Sequence, residues 1–270
     1  MNRNTHNKIR RPLRIALGVL LSALFIALLG AASYHQEQQP LKGFDIKIVN
    51  KETKRILTKG DIERWAFTNP AEHIKGKSKK ELSLKQIEEK VALNPWIANA
   101  NAYIDNQHQL QILITERDPI ARIFDADGNS FYMDSTLTRM PLIRGGYFNT
   151  PVFTDVSLTK ADSQNTILKS KIAFMANLIG KDSFWNAQIE QIQVNKDQTF
   201  VLIPLMGHQK IFFGDTSRAK DKLGNLFAFY KHVVPKIGWN SYNSFDIRYK
   251  GQIVARPSLG ITIPKPNESH

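Results

Sequence analysis

The sequence predicts an α+β protein behind a single N-terminal transmembrane helix. Three observations lead to this prediction. An uncharged apolar run, Ile15 to Ala32, lies near the N-terminus. A short segment then shows strand, helix, helix, strand and strand periodicity in turn, and a longer C-terminal part is dominated by strands. We therefore expect a transmembrane helix, a small β-α-α-β-β module, and a C-terminal mixed β domain with two helices.

The composition excludes several classes of protein. Hydrophobic residues make up 42% and charged residues 23% of the 270 residues, which is typical of a globular protein. Because the chain has no cysteine, it cannot contain disulfides, cysteine zinc sites, iron–sulfur clusters or thiol nucleophiles. The net charge is +13, but five basic residues fall within the first fourteen positions. The remaining excess is diffuse, which does not indicate a nucleic-acid partner.

The apolar run predicts a membrane anchor. It contains 18 residues with Ser22 as its one polar side chain, and it would span about 27 Å as a helix. Arg10, Arg11 and Arg14 precede it, so the positive-inside rule places the N-terminus in the cytoplasm. A cleaved signal peptide is the alternative, since Gly30 to Ala32 resemble a cleavage site. The apolar part of a signal peptide is usually only about 7–15 residues long, which favours an uncleaved anchor.

These segments divide the N-terminal region into a cytoplasmic tail (1–12), a transmembrane helix (13–32) and a linker (33–42). Residues 43–118 form the predicted module. Gly43 to Asn50 alternate like a half-buried strand, Thr58 can begin a short helix, and Pro95 ends a second helix. The second helix has two candidate capping boxes: Ser83 with Gln86, and Ser78 with Glu81. Two further strands have alternate apolar residues, namely Trp96, Ala98, Ala100, Ala102 and Ile104, then Leu110, Ile112 and Ile114.

The C-terminal domain is predicted over residues 119–260, with a flexible tail over 261–270. Asp125 to Asn129 contain the Asp-Gly pair of a hairpin turn; they also resemble a calcium loop, but the later glutamate ligand is missing. A long helix is predicted over 161–180 with Gly180 as its C-cap. Its apolar face is predicted to comprise Ile167, Lys171, Phe174 and Leu178.

A second helix of this domain is predicted to begin at Asp215 or Thr216 and to end near Val233. The other elements are strands. We expect them at Pro119–Phe124, Phe131–Met133, Pro151–Val156, Ile189–Val194, Thr199–Leu205 and Lys210–Phe213, with two short strands within Ser244–Arg256.

Four segments of the chain resemble the FtsQ/DivIB family of bacterial cell-division proteins. The first is the apolar run directly before the module. The second joins Asn94-Pro95-Trp96-Ile97 to a strand ending in Glu116-Arg117-Asp118-Pro119-Ile120-Ala121, which is similar to the family's E-R-x-P-x-A segment. The third is Phe213-Gly214 before the helix with Lys222-Leu223, and the fourth, Phe245 to Val254, resembles the closing I-D-x-R-Y segment. One departure is Leu137, where the family often has glycine.

The resemblance implies a POTRA domain in the module and a non-enzymatic scaffold of the divisome. Such proteins link early and late division proteins by binding small single-pass coiled-coil partners of the FtsB/DivIC and FtsL type, together with other septal proteins. The bulk of the chain would face the periplasm from the inner membrane and be enriched at the division site. An envelope adaptor of a transport or outer-membrane assembly complex is the alternative, and a membrane-anchored cell-wall enzyme is a third possibility.

The resemblance also places the partner site on the final strands. The corresponding residues are Arg248, Tyr249, Gln252, Ile253, Val254, Ala255 and Arg256. The alternative interpretation is that Ile247, Tyr249, Ile253 and Val254 belong to the core. Glu116, Arg117 and Pro119 are predicted to form the junction between the two domains. We expect no catalytic set, metal site, cofactor or small-molecule substrate, because nucleophile-elbow, zinc-protease and P-loop motifs are missing and the seven histidines are scattered.

Overall fold

The computed structural model describes residues 16–28, 39–49, 56–67, 74, 76–143, 146–157 and 162–258. Residues 16–28 form helix α1, whose apolar side chains are exposed. Within the described ranges, none of the helices has both the length and the apolar character needed to cross a bilayer. The predicted anchor extends on both sides of α1 into residues outside these ranges, so it stays a prediction. The chain divides into two compact units, Met1–Glu116 and Arg117–His270.

The first unit has the predicted β-α-α-β-β order. Its elements are β1 (Gly43–Val49), α2 (Lys59–Ala66), α3 (Leu84–Ala92), β2 (Ile97–Ile104) and β3 (Gln109–Glu116). The sheet order is β1-β3-β2, with β1 parallel and β2 antiparallel to β3. Because β3 is central, its apolar residues Leu110, Ile112 and Ile114 are fully buried.

The helices of this unit begin where local hydrogen bonding predicts. Thr58 and Asp61 form a reciprocal capping box at α2, and the Ser83 hydroxyl accepts from the Gln86 amide at α3. The competing pair also makes a contact, because the Ser78 amide donates to the Glu81 carboxylate at 3.0 Å. Ser83 nevertheless begins the helix.

The predicted inner face of β2 is wrong at one position. The register of β2 on β3 shifts between Ile97 and Asn99, so both Trp96 and Ile97 are buried and Ala98 is exposed. A bulge of this kind inserts one residue into the alternation and re-aims the side chains before it. Of the predicted alternating residues, Trp96 and Ala102 are buried, Ala100 and Ile104 are half-buried, and Ala98 alone is exposed.

The second unit is built on one large mixed sheet. Its strands are β4 (Pro119–Asp125), β5 (Ser130–Asp134), β6 (Arg139–Met140), β7 (Val152–Val156), β8 (Ile189–Val194), β9 (Phe200–Pro204), β10 (Lys210–Gly214), β11 (Tyr242–Asp246) and β12 (Val254–Pro257). The order is β12-β11-β10-β9-β8-β7-β4-β5-β6. The Asp-Gly hairpin between β4 and β5 is confirmed, with the Asp125 carboxylate accepting from the amides of Asp127 and Asn129.

The described residues of this unit contain four helices rather than the predicted two. They are α4 (Asp162–Gly180), α5 (Ser183–Gln188), α6 (Ala219–His232) and α7 (Val234–Ile237). The sequence pattern does not predict the two short helices, because neither is long enough to show a helical repeat. Gly180 is the last residue of α4 and has no positive φ, so it does not form the predicted C-cap.

The apolar face predicted for α4 is also wrong. The buried residues are Leu168, Ile172, Met175, Ala176 and Ile179. Ile167 and Phe174 are instead 56% and 46% exposed. Two helical repeats of apolar residues overlap along α4, and only packing against the sheet decides which one is buried.

Two turns depart from the residue types expected for them. Helix α6 begins after Arg218, which lies in the left-handed region at φ 49° and makes no side-chain cap, so neither Asp215 nor Thr216 is the N-cap. Leu137, which stands where the FtsQ/DivIB family often has glycine, adopts φ 67°. The Leu137 amide donates to the Asp134 carbonyl at 3.1 Å, so the turn is kept.

Candidate functional site

Strand β12 is one of the two edge strands of the large sheet in the part of the chain that the structure describes, and the two-residue β6 is the other. It pairs antiparallel with β11 on one side, with Val254 opposite Asp246, Ala255 opposite Phe245, and Arg256 opposite Ser244. The row of N–H and C=O groups on its other side carries no strand among the described residues. Such an edge is a template for backbone pairing with another extended chain.

The side chains at this edge divide between the core and the surface. Ile253 and Ala255 are partly buried and pack against the core, and Ile247 is fully buried. Gln252 and Arg256 are exposed, while Val254 is half-buried. Tyr249 is 54% exposed in the turn before β12. The core interpretation therefore holds for Ile247 and in part for Ile253, and it fails for Tyr249.

Arg248 lies two residues after the end of β11 and pairs with Asp246, the last residue of that strand. Its Nε and Nη2 donate to the two carboxylate oxygens of Asp246 at 2.8 and 2.5 Å, and its backbone amide donates to Asp246 Oδ1 at 3.1 Å. These bonds, with the Arg248 side-chain bonds first, lower the pKa of Asp246 below its ordinary value. This bidentate pair fixes the guanidinium plane of Arg248 against the Asp246 carboxylate at the end of β11.

Gly214 allows this arrangement. It ends β10 with φ +76°, and a Cβ at this position would lie 2.9 Å from Arg248 Cγ. The guanidinium of Arg248 also lies 5.8 Å from the ring centroid of Phe212. On the other side, Arg218 Nη2 donates to the Arg248 carbonyl at 3.0 Å. The segment between β11 and β12 is thus supported by the end of β10 and the start of α6.

A second ion pair stabilises the turn between β10 and α6. Lys222 Nζ donates to the Asp215 carbonyl at 2.9 Å and to its carboxylate at 3.0 Å, although the lysine side chain is only 3% exposed. The Ser217 hydroxyl and then Lys222 lower the pKa of Asp215 to about 2. The Lys222 ammonium also lies 4.8 Å from the ring centroid of Phe213.

Sequence reasoning missed Asp246, Gly214, Arg218 and Lys222 as supports of this edge. One signal was present, since Asp246 and Arg248 are two residues apart and so share a face of an extended chain. Arg218 bonds Arg248 from 30 positions away, and Gly214 also meets Arg248, so no local pattern reports these two contacts. Lys222 bonds Asp215 from seven positions away, across the turn before α6.

Glu116, at the predicted domain junction, is buried within the first unit. Its carboxylate accepts from the Leu57 amide at 2.6 Å and from the Ile56 amide at 3.2 Å. It therefore ties the end of β3 to the segment that leads into α2.

Arg117 and Pro119 belong to the second unit. Arg117 Nη1 donates to Asp134 Oδ2 at 2.8 Å and to the Thr136 hydroxyl at 3.1 Å, and Pro119 begins β4 opposite Asp134. Each junction residue thus makes its described contacts inside its own unit. The topology residues Arg10, Arg11 and Arg14 lie outside the described residues.

Similar proteins are known from several bacteria. A cell division protein FtsQ of Geotalea daltonii is 27% identical in an alignment of 191 residues that covers 65% of this chain and 64% of that protein. The FtsQ of Salinibacter ruber is 25% identical over 63% of this chain and 68% of its own, and that of Geobacter sp. strain M21 is 24% identical over 67% and 66%. The chain thus spans slightly less than two thirds of the first relative.

Family models match both structural units. The model described as "FtsQ/DivIB, C-terminal related" matches residues 118–256, and a POTRA-like domain model matches residues 41–115. The first match alone covers more than half of the chain and includes the whole large sheet from β4 nearly to the end of β12. On the basis of this match over residues 118–256, the chain belongs to the FtsQ/DivIB family.

Proposed function

We propose that this chain is a membrane-anchored, non-enzymatic scaffold of the bacterial division machinery. It binds a small single-pass coiled-coil partner of the FtsB/DivIC type, with an FtsL-type protein and other septal proteins in the same assembly, by adding a partner strand to β12. The observation that carries the proposal is the position of β12 at the rim of the large sheet. Family membership and the three relatives, each named a cell division protein, support the cellular role.

The geometry of β12 supports strand addition over a side-chain pocket. Backbone N–H and C=O groups of an edge strand give affinity, and alternate side chains give specificity. Val254 and Arg256 share one face of the strand, while Ala255 faces the core side with Ile253. A partner strand would therefore meet the half-buried Val254 and the charged Arg256 on the same face.

The anchor is supported by the sequence around α1. The apolar run is uncharged, and the hydroxyl of Ser22 donates to the Gly18 carbonyl at 2.8 Å within the helix. This bond satisfies the one polar side chain of the run without water, as a lipid environment requires. With basic residues before the run, the N-terminus lies in the cytoplasm and the chain after the apolar run faces the periplasm.

A crosslinking experiment tests the site and the role together. A photo-crosslinking amino acid replaces Gln252 in the full-length protein, is activated in dividing cells, and the captured proteins are identified by mass. The matched control carries the same amino acid at Lys196, which is exposed in the turn between β8 and β9. We expect a small single-pass coiled-coil division protein at position 252 and not at 196. Capture of an outer-membrane assembly or transport subunit would favour the adaptor alternative.

The cellular role has its own readout. A fluorescent fusion should form a band at midcell in dividing cells, and a uniform membrane signal would contradict a divisome role. A midcell band without capture at position 252 would keep the division role and refute the β12 site. Turnover of peptidoglycan by the purified protein would contradict the non-enzymatic assignment.

A further inference from the structure

The first unit has an open sheet edge at β1. This strand pairs with β3 on one side, and its other side carries no strand among the described residues. The chain just before β1 is covered, because the Leu41 amide donates to the Lys77 carbonyl at 2.9 Å and the Gly76 amide donates to the Leu41 carbonyl at 3.0 Å. The open part of the edge is therefore Gly43–Val49, the seven residues of β1 itself.

A groove of about 630 Å³ runs along this edge. It is lined by four successive residues of β1 and by the start of α2, namely Asp45, Ile46, Lys47, Ile48, Leu57, Thr58 and Lys59. Successive side chains of a strand point to opposite faces of the sheet. A groove that contacts four successive residues is therefore lined in part by their backbone. The backbone groups of an open edge are the template for pairing with another extended chain.

The opposite edge of the same sheet, at β2, is protected. The Glu88 carboxylate of α3 accepts from the Ala102 amide of β2 at 2.7 Å, so this amide is not free to bond an added strand. The register of β2 also shifts between Ile97 and Asn99. Charged side chains and bulges are two ways in which proteins protect an edge. Strand β1, by contrast, pairs with β3 over all seven residues without a register shift.

The sequence of β1 is complementary to itself in the antiparallel direction. In a pair of β1 strands centred on Ile46, Asp45 lies opposite Lys47 of the second copy, and this pair occurs twice by symmetry. Phe44 lies opposite Ile48 of the second copy on the other face, where its ring centroid is 5.8 Å from that of Phe67. Opposite charges directly across a strand pair are stabilising, and like charges are destabilising.

Other registers of the same pair are unfavourable. Centring the pair on Asp45 places two carboxylates opposite each other, and centring it on Lys47 places two ammonium groups opposite each other. A shift by one residue places Asp45 beside Ile46 and so mixes the polar and apolar faces of the two strands. The charges therefore favour one register. Its centre, Ile46, is also the middle residue of the open edge, so all seven residues are paired.

We propose that two copies of this chain associate through their first units by antiparallel pairing of β1 with β1, centred on Ile46. The pairing joins two three-stranded sheets into one sheet of six strands. Lys59 donates to one oxygen of the Asp45 carboxylate, Oδ1, at 2.6 Å, so the second oxygen can accept from Lys47 of the second copy. The assembly closes as a dimer, because the same surface serves in both copies and β2 at the outer edges is protected.

This contact lies in the first unit and does not depend on the proposed partner site at β12. Self-association through β1 and crosslinking at position 252 are separate readouts, so either can fail without the other.

Charge exchange tests the register. Full-length chains that carry donor or acceptor dyes at the N-terminus are reconstituted in phosphatidylcholine liposomes, and self-association is measured by energy transfer as the protein is diluted in lipid. Asp45→Lys places lysines opposite each other and Lys47→Asp places aspartates opposite each other, so each variant alone should associate about tenfold or more weakly than the parent. A mixture of the two variants restores both pairs of opposite charge, and should associate within about threefold of the parent.

The matched controls make the same charge changes elsewhere. Lys79→Asp lies in an exposed turn before α3, and Glu190→Lys is exposed on β8. Each should change self-association by no more than about twofold. Circular dichroism verifies that each variant is folded.

Disulfide formation tests the pairing directly, because the chain has no cysteine of its own. A chain with Asp45→Cys mixed with a chain with Lys47→Cys should form an interchain disulfide on mild oxidation, since the Cβ atoms of directly opposite residues lie about 4.5–5.5 Å apart. Asp45→Cys alone should crosslink less, because the two cysteines are then diagonal neighbours about 7–8 Å apart.

Four results would overturn the proposal. They are no self-association of the parent, unchanged association of both folded charge variants, a mixture of these variants that associates as weakly as either alone, and equal crosslinking in the mixed and single cysteine samples. A chain with Lys47→Cys that crosslinks in cells to a different protein, without self-association, would instead assign the β1 edge to another extended partner.

Discussion

A pair of proline substitutions in β12 tests strand addition most directly. In an antiparallel ladder, the N–H groups of successive residues point alternately toward the paired strand and away from it. Val254 and Ala255 are successive and lie opposite Asp246 and Phe245 of β11. One of their N–H groups therefore points toward β11, and the other points toward the open edge.

The two substitutions should affect different properties: one should lower the affinity for the partner, and the other should lower the stability of the fold. Proline removes one ladder donor. At the position facing outward, a partner carbonyl is left without its donor, which costs about 1–3 kcal/mol and lowers affinity about 5- to 150-fold while the fold is kept. At the position facing β11, an internal bond is lost, and the melting temperature should fall by about 2–4 °C for each kcal/mol.

The assay measures both quantities on the same samples. Affinity for the purified periplasmic segment of the crosslinked partner is measured by biolayer interferometry, and stability by differential scanning calorimetry. We expect one variant with weak binding and near-normal melting, and the other with lowered melting. If both variants retain normal affinity, or if affinity falls only in proportion to stability in both, the reasoning about the edge is wrong.

Three further predictions concern stability and are measured by urea unfolding of the full-length chain. Gly224→Ala should stabilise α6 by about 1 kcal/mol, because its Cβ meets nothing, whereas Gly214→Ala should destabilise by about 1–2 kcal/mol because φ is +76°; equal effects would contradict the geometry. Glu116→Ala should cost about 2–3 kcal/mol, because two amides lose a charged acceptor, and Glu190→Ala, at an exposed position, is its control. The pKa of Asp246 is lowered in the folded state, so its contribution is present above its ordinary value of 3.8 and is lost as the pH falls through the folded value. Asp246→Asn should therefore be less stable than the parent at pH 7, and the difference should shrink at pH 3; a constant difference would exclude the ion pair as its cause.

Local patterns in the sequence determined most of the elements. The alternation in Gly43 to Val49, the capping box at Thr58 and the Asp-Gly turn after Asp125 each depend on residues within a few positions, and all three are present in the structure. The order of strands and helices in both units follows from such signals, because secondary-structure periodicity is a property of neighbouring residues.

Only the tertiary structure decided which apolar face of α4 is buried, where β2 bulges, and that β12 lies at the rim of the sheet. Strand order and helix rotation depend on contacts between residues far apart in the chain. The two apolar repeats of α4, one containing Ile167 and the other Leu168, therefore do not reveal by themselves which face is buried. The same holds for the supports of the edge, where Gly214 and Arg218 meet Arg248. The final strands could be located from sequence, but the groups that hold them in place come together only when the sheet is formed.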